Sequence, residues 1–463
     1  QRRSDCTVSE QSKLLTREVV SEREVSAPVV TKPEISGSSS SSSCSLKIIH
    51  INDVYLLDHL PRVKSCVDSY RAKYTNVLVT LAGDFLGPSL LSSIDHGTGI
   101  VDCLNKVGVD VICFGNHECD VPYEALEQRI EEFRGVWLNS NMPGFVPDLP
   151  CSHVIDLASG DGCVAMRKVG FLGFLIGGGN FAATYRENAF GGYAEDIVPV
   201  LEAYEDVVAA LRADHPDVDA IVPLTHQDQA EDEIMAGKGV FPVILGGHDH
   251  EVTCNRIAGC SVVKAGSDAE VIAIVDLTWE ADKPRGASPC VNVEFIEMKR
   301  FPEDAALSAL KDQWMAPVRE LETATIARIS QSLAEQLPNG MLSSKDARFG
   351  ECSMAGFLAS ALRSCLHADA AFINAGAVRG ECEYSSDITY ADLKKECPFP
   401  SQNVVIDIRG RTLSEAIGVS RKPWLHPDGP QEASQALHAD SNCRVEVRDN
   451  AYELTIVNSE PLD

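Results

Sequence analysis

Five short clusters of carboxylate, amide and imidazole side chains stand out in this chain. They are Asp53-Val54-Tyr55, Gly83-Asp84, Gly115-Asn116-His117-Glu118 with Asp120 just beyond, Thr225-His226, and Gly246-Gly247-His248-Asp249-His250. Donors of these types suit hard or borderline divalent cations such as Mn, Zn, Fe or Mg. One Asp shared by two ions makes a two-metal centre, able to clamp a phosphoryl oxygen and activate water. Each piece alone has an ordinary reading: a strand-end Asp or Asn is most often a turn residue or a helix cap. A lone His such as His226 is more often simply hydrogen-bonded or at the surface, and His248 and His250, two apart, can be a solvated pair. Together, in this order and each behind an apolar run, they point to one site.

Those apolar runs must position the clusters. Leu46–Ile51, Val77–Leu81, Val109–Phe114, Ala220–Leu224 and Phe241–Leu245 read as buried strands. Tyr123–Phe133, with Pro122 suited to its first turn, and Glu195–Arg212 read as helices. After Asp249 the rhythm changes to strands without long helices, at Ser261–Lys264, Val271–Trp279 and Val291–Met298. This is an α/β pattern, and open α/β sheets gather ligands at strand carboxyl ends. Residues 1–45, ending in the unbroken run Ser38–Ser43, read as a disordered tail or linker. Ala305–Ile326 reads as a helical connector that Pro317 must kink or divide. A second domain begins near Ala327.

The composition bounds what the chain does. Of its 463 residues, 40 are Lys or Arg and 68 Asp or Glu, a net charge of −28. Most of the excess lies in residues 46–322, with 21 basic and 43 acidic side chains. That balance excludes a nucleic-acid polymer as a charge-driven partner. It also repels anionic substrates at long range unless the local sign is reversed. No run approaches the ~20 apolar residues of a membrane span. The 16 cysteines include no CxxC pair, and Cys103 and Cys113 sit in apolar contexts that read as core thiols. No secretory signal is read at the start, so the compartment stays open, with a lean to the cytoplasm; the oligomeric state is likewise open.

The five clusters resemble the motifs of the calcineurin-like metallophosphoesterases, and within them the 5′-nucleotidases, from Leu46 to the end of the chain. The resemblance implies a four-layer α/β/β/α sandwich over 46–304, the connector at 305–326, and a smaller α+β C-terminal domain over 327–463 that is incomplete. It implies two divalent metal ions, with Asp53, Asp84 and His250 at the first and Asn116, His226 and His248 at the second, Asp84 bridging. His117, paired with Asp120, then faces the phosphate as the catalytic imidazole.

In the C-terminal part, Asn374-Ala375-Gly376-Ala377-Val378-Arg379 resembles the substrate-binding motif of the 5′-nucleotidase C-terminal domain. Cys397-Pro398-Phe399-Pro400 resembles the stretch that carries its base-stacking Phe, and Arg348 stands where that domain has another substrate-facing Arg. Arg offers forked donors to phosphate, and Phe399 a flat face to any nucleobase. The implied activity is metal-dependent release of phosphate from nucleoside 5′-monophosphates. The alternatives are phosphodiester or nucleotide-sugar hydrolysis, or nucleotide binding without turnover. Substrate held in one domain and metals in the other imply rotation about the connector.

The resemblance departs at Tyr55, where the family has a metal-ligating His, and at Gly356 and Ser360, where it has Asn and Asp. The chain also stops before the family's second stacking aromatic.

Overall fold

Strand β1 (Cys44–Ile51) opens the fold, two residues ahead of its expected start. The structure, a computed structural model, describes residues 44–158, 167–178, 185, 188–280, 283–397, 403–457 and 460–461. The Ser38–Ser43 run and Phe399 therefore lie outside the described residues. The chain divides into two compact units, Gln1–Ser308 and Ala309–Asp463.

In the first unit β1 is followed by β2 (Val77–Ala82), β3 (Val111–Cys113), β4 (Val136–Leu138), β5 (Ser152–Leu157) and β6 (Arg167–Leu175). Then come β7 (Ala220–His226), β8 (Val243–Gly246), β9 (Val252–Ile257), β10 (Cys260–Ala265), β11 (Val271–Trp279) and β12 (Cys290–Glu297). They form two six-stranded sheets, in the orders β12-β11-β1-β2-β3-β4 and β5-β6-β7-β8-β10-β9. β1 to β4 run parallel, as do β6, β7, β8 and β10. The sheets face each other over one apolar core: Leu46, Ile48, Leu78, Val111 and Val275 from the first meet Val169, Phe171, Val222, Val243 and Val263 from the second. Such near-continuous apolar strands are what a sheet covered on both faces requires.

Helices cover the outer faces. Val200–Asp214 and Gln229–Gly237 bury Tyr204, Leu211 and Met235 against Leu172, Phe174 and Ile244. Leu60–Lys73 lies against β2 and against the helix Thr98–Val107. The expected four-layer α/β/β/α sandwich is thus present. Alternation along β1 puts His50 on the inner face with Leu46 and Ile48. Its Nε2 pairs with the Gly246 carbonyl of the opposite sheet and its Nδ1 with Thr80 Oγ1, each at 3.1 Å. Cys103 and Cys113 are buried thiols, as read.

Two local expectations need correction. The helix expected from Glu195 starts at Val200, because Pro199 disfavours helical backbone at the residue before it, and residues 189–196 form a 3₁₀ segment instead. The connector is a single helix, Ala305–Thr323, running on through Pro317, and Thr325–Arg328 is a strand.

The second unit is α+β. Short antiparallel pairs (Thr325–Arg328 with Asp387–Thr389, Leu342–Ser343 with Glu383–Tyr384, Phe372–Asn374 with Leu437–Ala439) accompany a small sheet built on Cys443–Arg448 and Ala451–Val457. The helix Ser353–Leu366 buries Met354 and Ala355 with Leu342, Val378, Tyr384 and Ile388.

Candidate metal centre

Strands of both sheets deliver the expected donors to one end of the first unit. Asp53 follows β1, Asp84 follows β2, Asn116 and His117 follow β3, and His226 ends β7. Donor atoms of Asp53, Asp84 and His226, all three buried, lie within 4.8 Å of one another. Asp53, Asp84, His248 and His250 all have positive φ, between 52° and 86°. Non-glycine residues adopt that region at a cost, and such residues cluster at functional sites.

Glycines let the strand ends approach so closely. A Cβ on Gly115 would stand 2.2 Å from Asp84 Oδ1, and one on Gly247 would stand 2.9 Å from both Asp53 Oδ2 and His226 Nδ1. No side chain fits at either place.

His226 is oriented as a metal-binding imidazole should be. Its Nδ1 donates to the Ala82 carbonyl at 2.8 Å, which leaves Nε2 facing Asp84 Oδ2 at 3.1 Å and Asp53 Oδ1 at 3.9 Å. Nε2 makes no aligned hydrogen bond there, and the buried Oδ1 of Asn116 has no hydrogen-bond partner either. Buried polar atoms left this way are rare unless a ligand completes them. Burial disfavours charge on His226, yet the Asp84 and Asp53 carboxylates outweigh it and raise its pKa to about 10. In turn, burial alone would raise Asp84, but His226 holds it below the usual carboxylate range.

His248 donates its backbone N–H to Asp53 Oδ2 at 2.9 Å, and its ring stands edge-on to His226 with centroids 5.3 Å apart. Burial and the neighbouring His226 lower its pKa. His250 Nε2 lies 3.2 Å from Asp53 Oδ1, and that hydrogen bond raises its pKa.

His117 sits at the mouth. Its backbone N–H donates to Asp84 Oδ1 at 2.8 Å, and its Nδ1 pairs with Asp120 Oδ2 at 2.6 Å. Burial pulls its pKa down, but Asp120 and Asp84 together raise it above the usual value.

Tyr55 reaches the same centre. Its hydroxyl lies 2.9 Å from His250 Nε2, 3.1 Å from Asp84 Oδ2 and 3.3 Å from Asp53 Oδ1. Burial, then the Asp84 and Asp53 carboxylates, push its phenol far above the ordinary range.

Two supporting groups were given no role by sequence reasoning. Glu118, fully buried, accepts the backbone N–H groups of Asp84, Phe85, Leu86 and Gly115. Burial and the Asp84 charge raise its pKa to about 7, against the pull of those amides. Its place after Asn-His is the only sequence signal, and that motif says nothing of where the carboxylate points. Lys264, on β10 and fully buried, donates to the carbonyls of Gln227 and Gly247 at 2.7 and 2.8 Å, and pairs with Asp249 and Asp232. It ties the loop that carries His248 to the end of β7. A Lys within an apolar strand pattern gives no sequence hint of this.

In the second unit, the turn Asn374–Arg379 is fastened by its own backbone. Gly376 N donates to the Ser434 carbonyl at 2.7 Å, and Arg379 N to the Glu396 carbonyl at 2.8 Å. Arg379 is exposed, with its Nε donating to the Gly376 carbonyl at 2.8 Å. Arg348 pairs with Glu432 at 2.7 Å, and the exposed Asn374 reaches the Ser434 carbonyl at 3.5 Å. Buried Glu396 accepts from Ser344, Tyr384 and the Gly380 N–H, so it anchors the turn from behind. At Ser360, the hydroxyl bridges the Gly356 carbonyl and the Ser441 N–H at 2.7 and 3.0 Å.

Comparison with known proteins speaks to family and fold. Residues 46–252 match the calcineurin-like phosphoesterase family, and residues 326–463 match the 5′-nucleotidase C-terminal domain. The chain is 23% identical over 425 residues to the 5′-nucleotidase of Rattus norvegicus, covering 81% of this chain and 71% of that protein. It is 22% identical over 374 residues to the endonuclease YhcR of Bacillus subtilis, covering 77% of this chain but only 30% of that protein. Among solved structures, the 5′-nucleotidase precursor from Thermus thermophilus superposes with a TM-score of 0.59 at 19% identity, over 90% of this chain and 87% of that one. That likeness is one of fold.

Proposed function

We propose that this chain, which belongs to the calcineurin-like phosphoesterases with a 5′-nucleotidase C-terminal domain, releases phosphate from nucleoside 5′-monophosphates. Its family is one of phosphate-ester hydrolases. The observation that carries the reading is the buried trio Asp53, Asp84 and His226 beside the His117–Asp120 pair. The orphaned Asn116 Oδ1 and the oriented His226 Nε2 fit a divalent cation, which Asp84, Asn116, His226 and His248 would hold. Such a cation supplies Lewis acidity and lowers the pKa of water.

This chain's own residues do the rest. Asp120 fixes the His117 ring through Nδ1, which leaves Nε2 to donate to a phosphoryl oxygen or to protonate the departing ribose oxygen. Arg379 and Arg348 supply forked donors to the substrate, and Phe399 a face for the base.

The test is phosphate release from AMP in the presence of Mn²⁺, Zn²⁺ or Mg²⁺. His117→Ala is expected to lower kcat about 10²–10⁴-fold, the usual weight of a positioned proton donor, with metal content unchanged. No release from any nucleoside monophosphate under any of these ions overturns the proposal. A second reading, phosphodiester cleavage, draws on the similarity to an endonuclease over 77% of this chain. Turnover of bis(p-nitrophenyl) phosphate faster than AMP would favour it.

A further inference from the structure

The two halves of the metal centre are unequal, and Tyr55 makes them so. On the His226 side, the buried Asn116 Oδ1 makes no hydrogen bond, and His226 Nε2 faces only its fellow donors Asp84 Oδ2 and Asp53 Oδ1, at 3.1 and 3.9 Å. On the His250 side, one hydroxyl lies within hydrogen-bonding distance of all three expected ligand atoms, Asp53 Oδ1, Asp84 Oδ2 and His250 Nε2. Neither His248 nor His250 belongs to the tight donor trio of Asp53, Asp84 and His226; what sets the His250 side apart is that His250 meets Asp84 through the Tyr55 oxygen.

The main chain that carries this oxygen is fastened. The backbone N–H groups of Tyr55 and Leu56 both donate to Asp268 Oδ1, at 2.9 and 3.0 Å, which pins the loop. The ring stands edge-on to His117 and tilts against His250, with centroids at 6.2 and 5.5 Å. A cation bonds to O and N donors at about 2.0–2.2 Å. The space it needs among these three atoms is the space that the hydroxyl fills.

We propose that the Tyr55 hydroxyl is a built-in occupant of the first metal position, so that the chain holds one divalent ion tightly, at Asp84, Asn116, His226 and His248. The familiar pair of ions is thereby reduced to a single ion beside a protein hydroxyl. The inference rests on the metal-centre reading above but not on the substrate assigned there.

The experiment is ion stoichiometry, read without turnover. The full chain is stripped with chelator, then titrated with Mn²⁺ by calorimetry and by electron paramagnetic resonance. The wild type is expected to take one tight equivalent with the six-line signal of an isolated Mn²⁺. Tyr55→His, which restores an imidazole, is expected to take two, with a spin-coupled signal and a second-site affinity at least about tenfold tighter. Tyr55→Phe, which removes only the hydroxyl, is expected to tighten the second equivalent as well; near-ultraviolet circular dichroism checks that both variants are folded. Two equivalents of similar affinity in the wild type overturn the inference, as does a folded Tyr55→His that still binds one. Failure of the metal-centre reading looks different: no tight ion in the wild type or in either variant. Failure of the substrate reading leaves these stoichiometries untouched and shows only in phosphate release.

Discussion

Glu118 holds Asp84 in place without touching its carboxylate: it accepts the Asp84 backbone N–H at 3.0 Å and those of Phe85 and Leu86 at 2.7 and 3.1 Å. The Asp84 side chain projects into the centre because its backbone is held from behind. Glu118→Gln puts a side-chain NH₂ against amides that also donate. We expect it to cost on the order of 2 kcal/mol of stability, and to weaken metal affinity about 10–100-fold, as loss of a ligand's supporting partner does. Urea unfolding and calorimetric Mn²⁺ titration check the two effects separately. Unchanged affinity would show that Asp84 does not need this support.

Gly115 sets the closest approach in the site. A methyl group at that position would meet Asp84 Oδ1 at 2.2 Å and Asp84 N at 2.4 Å. Gly115→Ala must therefore push the β2 and β3 ends apart, at about 1–3 kcal/mol for the overpacking, and is expected to abolish tight metal binding. Gly237→Ala is the matched control, since nothing lies within 4 Å of its added Cβ. It is expected to bind metal like the wild type.

His50 makes stability depend on pH away from the metal donors. Burial lowers its pKa from 6.5 to about 4. Below pH 6.5 the unfolded chain takes up a proton that the folded chain refuses, so stability falls as pH drops, until about pH 4. Between pH 6.5 and 5 that loss is about 2 kcal/mol. Unfolding free energies from urea melts in chelator at pH 7 and pH 5 are expected to differ less, by about that amount, in His50→Gln. An identical difference in the variant would assign the acid sensitivity to other groups.

Under the proposed function, Arg379 acts on substrate binding and not on the chemical step. Arg379→Ala is expected to raise KM for AMP about 10–100-fold, the worth of one or two hydrogen bonds to a charged group. Its kcat with p-nitrophenyl phosphate, which has no nucleoside, should stay within about twofold. Arg379→Lys keeps the charge but loses the fork, so an intermediate KM is expected. Equal KM values for all three proteins would remove Arg379 from the substrate site.

Much of the first unit was legible before any coordinates, for a physical reason. A strand buried on both faces must be nearly all apolar, so its polar end stands out: Ile49-His50-Ile51 followed by Asn52-Asp53, or Val77 to Ala82 followed by Gly83-Asp84. The helix from Val200 was misplaced because its start was set by Pro199, a local steric effect that the apolar spacing upstream masked. In the second unit the motif Asn374–Arg379 was visible, but not the buried Glu396 that anchors it, since a helix-end Glu looks like any surface carboxylate.

Sequence alone thus determined the apolar strands behind the donor clusters, the donor types and the departure at Tyr55, because residue type and apolar patterning are local properties. Only the tertiary structure decided how those donors are shared. Glu118 points inward to backbone amides and Lys264 lies buried beneath the His248 loop. The Tyr55 hydroxyl falls among Asp53, Asp84 and His250, residues up to 195 positions away along the chain. Distances of that kind are set by how two sheets pack, and no single segment carries them.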